Sequence, residues 1–250
     1  MASTPDTAGA PVASLPARLA RFTRTERVLH WMVVITFTIM FGTGLALYFP
    51  VFAKLMSRPL AKEIHLWAAI AMGVAMVLVP LLGNLRSVLR SAHEVQYLDE
   101  DDVTWLKAGP VAQLGTVAPA PQGRFNAGQK LNTAMLSGGM FIMYLTGFLL
   151  WYGERNTEWR MMGSVPVHDL FTIFLTGLVA GHIYLAVIHP TTRAALRGMT
   201  FGDVDREFAE HHHAKWVAEL DAQRVGVGVG AGAGAGERDG DREHDGATDT

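Results

Sequence analysis

The side chains in this chain that could do chemistry are its histidines. There are ten of them and no cysteine. Disulfides, thiolate-held iron–sulfur clusters and covalently attached c-type haem are therefore excluded within the chain, and a metal would rest on histidine, carboxylate or methionine. His93, His211, His212, His213 and His244 stand among polar residues and read as solvated. His30, His65, His168, His182 and His189 stand in or at the edge of long uncharged stretches, where a strongly polar group is a functional candidate. His168 and His182 are 14 residues apart. That spacing is about 21 Å of helical rise with about 40° of angular offset, so both rings face one side of a helix at two depths. Met72, Met76, Met135, Met140 and Met143 read as core filler rather than ligands.

The elements that must position these rings are four stretches free of Asp, Glu, Lys and Arg: Val28–Phe49, Ile64–Leu82, Leu131–Tyr152 and Leu170–Ile188. Each is long enough to cross about 30 Å of hydrocarbon as a helix, and four such helices exceed what a soluble core of this size would bury. The expected fold is an all-α membrane protein, a four-transmembrane-helix bundle. With four spans, the N-terminal segment, the loop 83–130 and the tail from 190 share one face and carry 16 Lys and Arg, against five in the other two loops. The positive-inside rule puts both termini in the cytoplasm of a bacterial inner-membrane protein. Residues 1–27 lack the apolar stretch of a signal peptide, so insertion falls to the first span. A net charge of −2 gives no reason to expect a nucleic-acid partner.

Topology then pairs the histidines. His30 opens the first span near the inner face and His65 opens the second near the outer face. The fourth helix runs inward, with His168 outside and His182 nearer the inside. His30 thus meets His182 and His65 meets His168, as two bis-histidine haems stacked across a bilayer require. Iron with both axial positions filled shuttles electrons and leaves no open site. His189, seven residues past His182, reads as an alternative inner ligand or a proton carrier. Gly44 and Gly181 allow close approach to a flat macrocycle. Gly138, Gly139 and Gly147 thin the third helix, which has no histidine and reads as a packing wall.

Outside the spans, the acidic run Asp99–Asp102 and Pro110, Pro119 and Pro121 read as a solvated loop. Asp203 reads as the N-cap of an amphipathic helix over 201–220, and the Gly-rich, charged end over 221–250 as disordered. Arg24, Arg27 and Lys130 read as interfacial cations that snorkel among lipids or meet haem propionates.

Four stretches, RFTRTERVLHW at 21–31, the histidine opening the second span, RFNAGQKLN at 124–132 and HIYLA at 182–186, together with Gly198–Trp216, carry a resemblance. Over about residues 20–220 the chain resembles the gamma, or cytochrome b, subunit of membrane-bound respiratory formate dehydrogenase. The resemblance implies an inner haem b on His30 and His182 and an outer haem b on His65 and His168. It also implies a quinone beside the inner haem, contacted by Asn126, Gly128 and Gln129 near His182. Asn126 and Gln129 are equally suited to capping the third helix. The implied partners are a molybdenum- or tungsten-containing catalytic subunit that oxidises formate and an iron–sulfur subunit that feeds the outer haem, so this chain would hold no formate site of its own. The segment IHP at 188–190 departs from the family pattern. The same architecture would serve a nickel hydrogenase or a thiosulfate reductase, and a haem-free, proton-relaying anchor is a different class.

Overall fold

The first helix starts a full turn before the uncharged stretch, because Thr23 and Glu26 form a reciprocal cap. The Glu26 amide donates to the Thr23 hydroxyl, and the Glu26 carboxylate takes the Thr23 N–H at 2.7 Å. In this computed structural model, which describes residues 15–109, 120–159, 161 and 163–225, α1 runs Arg24–Tyr48 and α2 runs Arg58–Leu82. Two short helices follow, α3 (Leu85–Gln96) and α4 (Glu100–Lys107). Then come α5 (Ala127–Gly153) and α6 (Ser164–Ile183), which continues through a π turn, Tyr184–Ile188. The four long helices span 25 to 27 residues and are apolar enough to cross a membrane. At 1.5 Å per residue they exceed the hydrocarbon by about a turn, which leaves room for Arg24, Arg58 and Lys62 at their ends. Large apolar side chains such as Trp67, Phe141 and Ile173 lie exposed on their outer faces, as a lipid solvent permits.

The bundle is two hairpins. α1 packs along α2, and α5 along α6. Close approach between the hairpins is local: Gly73 on α2 admits the Tyr144 ring of α5, whose hydroxyl donates to the Ala69 carbonyl at 2.8 Å. Within the second hairpin a Cβ on Gly139 would fall 2.6 Å from the buried Leu175 side chain, which would have to shift to admit it.

A segment before α1 and a segment after α6 meet on one face. Strand β1 (Arg18–Ala20) pairs antiparallel with β2 (Asp203–Asp205), Leu19 opposite Val204. Between α6 and β2 lies the short helix α7 (Leu196–Thr200); after β2 come α8 (Arg206–His212) and α9, which spans 214–225. Leu19, Val204, Ala209, Trp216 and Val217 form a small apolar core under the bundle. Gly202 turns the chain into β2 at φ +98° and accepts the Arg21 and Phe22 N–H groups.

Several expectations change here. Asp203 is a strand residue, not a helix cap; the helix starts at Arg206 behind Asp205, because pairing with β1 holds 203–205 extended. The helical region over 201–220 is in fact a strand and two helices, and α9 continues to 225, past the expected onset of disorder. The rest of that tail, with Pro110 and Pro119, lies outside the described residues. The acidic run is ordered. Asp99 and Asp102 cap α4 reciprocally, buried Asp102 pairs with Lys130, and Asp99 and Asp101 pair with Lys215. The hydrogen bond from Lys215 holds the Asp99 carboxyl down at about 2. Lys130 is thereby committed to protein, as is Arg27, whose Nη1 donates to the Thr200 carbonyl at 2.7 Å.

Candidate functional site

The cleft between the hairpins is bridged by histidines. His30 on α1 faces His182 on α6 with ring centres 6.4 Å apart, toward the face that carries β1 and β2, the terminal face. His65 on α2 faces His168 on α6 with ring centres 6.3 Å apart, toward the opposite face. A metal–imidazole bond of about 2 Å, plus about 1.1 Å from nitrogen to ring centre, puts two imidazoles trans on one iron about 6.3 Å centre to centre. The spacing of both pairs fits that arrangement.

Hydrogen bonds to two threonines favour one tautomer of His65 and His168. Thr43 Oγ1 donates its only proton to the Ile39 carbonyl at 2.8 Å. With its proton there, it accepts from His65 Nδ1, 3.0 Å away. Thr146 repeats this, donating to the Ile142 carbonyl at 2.8 Å and standing 2.8 Å from His168 Nδ1. With the hydroxyl protons on the helix carbonyls, both imidazoles carry hydrogen on Nδ1 and leave Nε2 bare, the form that ligates a metal. Beside each threonine is a glycine: a Cβ on Gly44 would sit 3.8 Å from His65 Cε1, and one on Gly147 3.5 Å from His168 Cε1. Gly44 therefore serves the His65 ring, across the membrane from His30.

These threonines escaped the sequence reading, although a signal was there. In each hairpin Thr-Gly precedes the histidine of the next helix with Thr and His 22 residues apart. The third long helix, α5, expected as a wall, thus orients a histidine through Thr146.

His189 faces no other histidine ring among the described residues. It caps the π turn, is buried, and sets Nδ1 3.1 Å from the Thr191 hydroxyl. The π turn takes up chain in the same stretch as the unusual IHP segment.

Asn126, Gly128 and Gln129 open α5 on the terminal face. Asn126 accepts the Gln129 N–H at 2.8 Å and Gln129 accepts the Asn126 N–H at 3.1 Å, a reciprocal cap. Arg21 also donates to Gln129 Oε1 at 3.2 Å. Burial and the Arg124 cation push Arg21 down to about 9, still charged at neutral pH. Behind it, Arg124 bonds Glu94 at 2.7 Å and Glu26 at 3.3 Å, tying α1 and α3 to the start of α5.

A sequence profile of the prokaryotic cytochrome b561 family matches residues 21–202. The chain belongs to that family. Family membership implies haem b, and with the four apolar helices it makes this cytochrome a multi-pass membrane protein. Relatives of this b561-type cytochrome include the formate dehydrogenase cytochrome b556 subunit of Haemophilus influenzae, 28% identical over 81% of this chain and 83% of that protein. The nitrate-inducible formate dehydrogenase cytochrome b556(Fdn) subunit of Escherichia coli K12 is 25% identical over 78% of this chain and 88% of that protein. A second Escherichia coli K12 subunit, formate dehydrogenase cytochrome b556(fdo), is 23% identical over 81% and 93%.

Proposed function

We propose that this chain is the dihaem cytochrome b subunit of a formate dehydrogenase complex, carrying electrons from an iron–sulfur partner to membrane quinone. The observation that carries the proposal is the pair of facing histidine couples, 6.3 and 6.4 Å between ring centres, at two depths of the bilayer. His65 and His168 would hold the outer haem, and His30 and His182 the inner one. Each haem supplies one-electron chemistry with no open coordination position. The chain's part is to fix both irons, with about 21 Å of helix between His168 and His182, and to keep water away from them with lipid-facing apolar surface.

Quinone is assigned to the terminal face beside the inner pair, at Asn126, Gly128 and Gln129. The carbonyl oxygens of both amides are engaged in the helix cap, so the amide N–H groups are what remain to meet a quinone oxygen. Arg21, locked against Gln129, puts a fixed positive charge where a quinone gains electrons. The names of the relatives favour formate as the electron source, and the proposed partners are a formate-oxidising molybdenum or tungsten subunit and an iron–sulfur subunit that feeds the outer haem. The Lys and Arg distribution assigns the terminal face to the cytoplasm of the inner membrane.

The test is a difference spectrum of membranes containing the assembled complex. Formate should reduce the b-type band, and added quinone should reoxidise it. A band reduced by hydrogen, or reoxidised by thiosulfate, but not reduced by formate would give the chain to another oxidoreductase, and no b-type band at all would end the cytochrome reading.

A further inference from the structure

The two histidine pairs are built differently, and the difference bears on redox potential. In the outer pair both rings donate Nδ1–H to a threonine hydroxyl whose own proton is committed to a helix carbonyl one turn back: Thr43 with His65, Thr146 with His168. A donated N–H makes imidazole a stronger electron donor to the metal on its other nitrogen, which favours the oxidised, more positive iron. The inner pair has no such support. His30 Nδ1 is buried and has no hydrogen-bond partner among the described residues.

Fixed charge acts in the same sense. Asp169 follows His168 directly at the outer pair. Near the inner pair, Glu26 lies one turn before His30, but it is buried against Arg124 and its negative charge is offset. Arg21, Arg24 and Arg27 add positive charge on that side, and positive charge favours the reduced iron.

We infer that Thr43 and Thr146 are positioning residues that hold the outer haem at a lower potential than the inner one, so that electron transfer toward the terminal face is downhill. The inference rests on reading both pairs as haem sites. The sequence alone hides it, because a threonine in an apolar helix is ordinarily satisfied by its own backbone.

The experiment is an optical redox titration of the full-length chain in lipid nanodiscs, after haem content has been measured. The wild type should titrate in two one-electron waves, and His65→Ala should abolish the lower one. Thr43→Val and Thr146→Val should each raise the lower wave by a threefold to tenfold change in the redox equilibrium, about 30–59 mV at 59 mV per decade, and leave the upper wave in place. Thr43→Ser and Thr146→Ser should restore the wild-type wave. Should valine expel the haem, Thr43→Ala and Thr146→Ala remove the hydroxyl without added bulk and must give the same rise. Two haems whose lower wave stays put in every hydroxyl-free variant would overturn the inference and leave the dihaem reading standing. Fewer than two haems in the wild type would remove both.

Discussion

An imidazole binds iron only through a nitrogen that carries no proton, so the hydrogen bond on the far nitrogen decides whether it is ready. His65 and His168 are held ready by Thr43 and Thr146. Removing one ring of a pair leaves the other unable to fill both axial positions. His65→Ala and His30→Ala should therefore each lower haem content from two toward one per chain, measured as pyridine haemochrome against protein; retention of both haems would refute the pairing. At the proposed quinone site, the capping role of Gln129 must be separated from the proposed contact with quinone. Gln129→Ala removes the reciprocal half of the capping box, while Asn126 still caps the helix, as well as the amide N–H. Gln129→Glu keeps acceptors for the Asn126 N–H and for Arg21 but loses the amide donor. Both variants should slow quinone reduction with haem content intact, and an unchanged rate in either would remove Gln129 from the site. The histidine partners were legible in the sequence because helical rise and span direction alone sort depths. The threonines were harder to read: the repeated Thr-Gly spacing is in the sequence, but their role depends on how one helix is rotated against the next, which that spacing alone does not fix.

At the scale of elements, the start of α5 is clamped by buried ions. Arg124 and Glu26 are each nearly inaccessible, with 7% and 8% side-chain exposure, and Arg124 also holds Glu94 and the Arg21 carbonyl. Arg124→Met would strand Glu26 as a buried charge, at a cost of about 3–5 kcal/mol. That cost is readable as a lower unfolding free energy in mixed micelles; a change below about 1 kcal/mol would mean the clamp is dispensable. The break between α8 and α9 is held by His213, whose Nδ1 donates to the Gly123 carbonyl at 2.8 Å. Burial, and then the Arg21 cation, hold this imidazole well below its usual value. The unfolded segment thus takes up its proton first, and the stability of the terminal cap should fall as pH drops below about 6.5. Protection factors over 203–220, referred to the intrinsic exchange rate at each pH, should fall with acid in the wild type and lose most of that dependence in His213→Asn. An equal acid response in the variant would clear His213. The four long helices were plain from their lack of charge. The strand pair, the ordered acidic run and the split helix were not, because each depends on a contact with a segment far along the chain: β1 with β2, and Asp99 and Asp101 with Lys215.

For the whole molecule, the β1–β2 pair fastens the first and last described segments to each other, so both lie on one side of the four helices. Which side of the membrane that is follows from charge. A fluorescent protein fused to the C-terminus should light up in the cytoplasm, and alkaline phosphatase at the same position should stay inactive; the reverse result would invert the bundle and with it the outer and inner assignment. The two hairpins pack closely inside themselves and leave a cleft where the histidines face each other. The proposed function requires that this cleft hold two irons, both closed to outside ligands.

The most direct test is the haem b to protein ratio of the purified full-length chain, taken together with its reduced spectrum under carbon monoxide. The account predicts two haems per chain and a spectrum that carbon monoxide does not shift, because imidazoles fill every axial position. One haem or none, or a band that carbon monoxide moves, would contradict it.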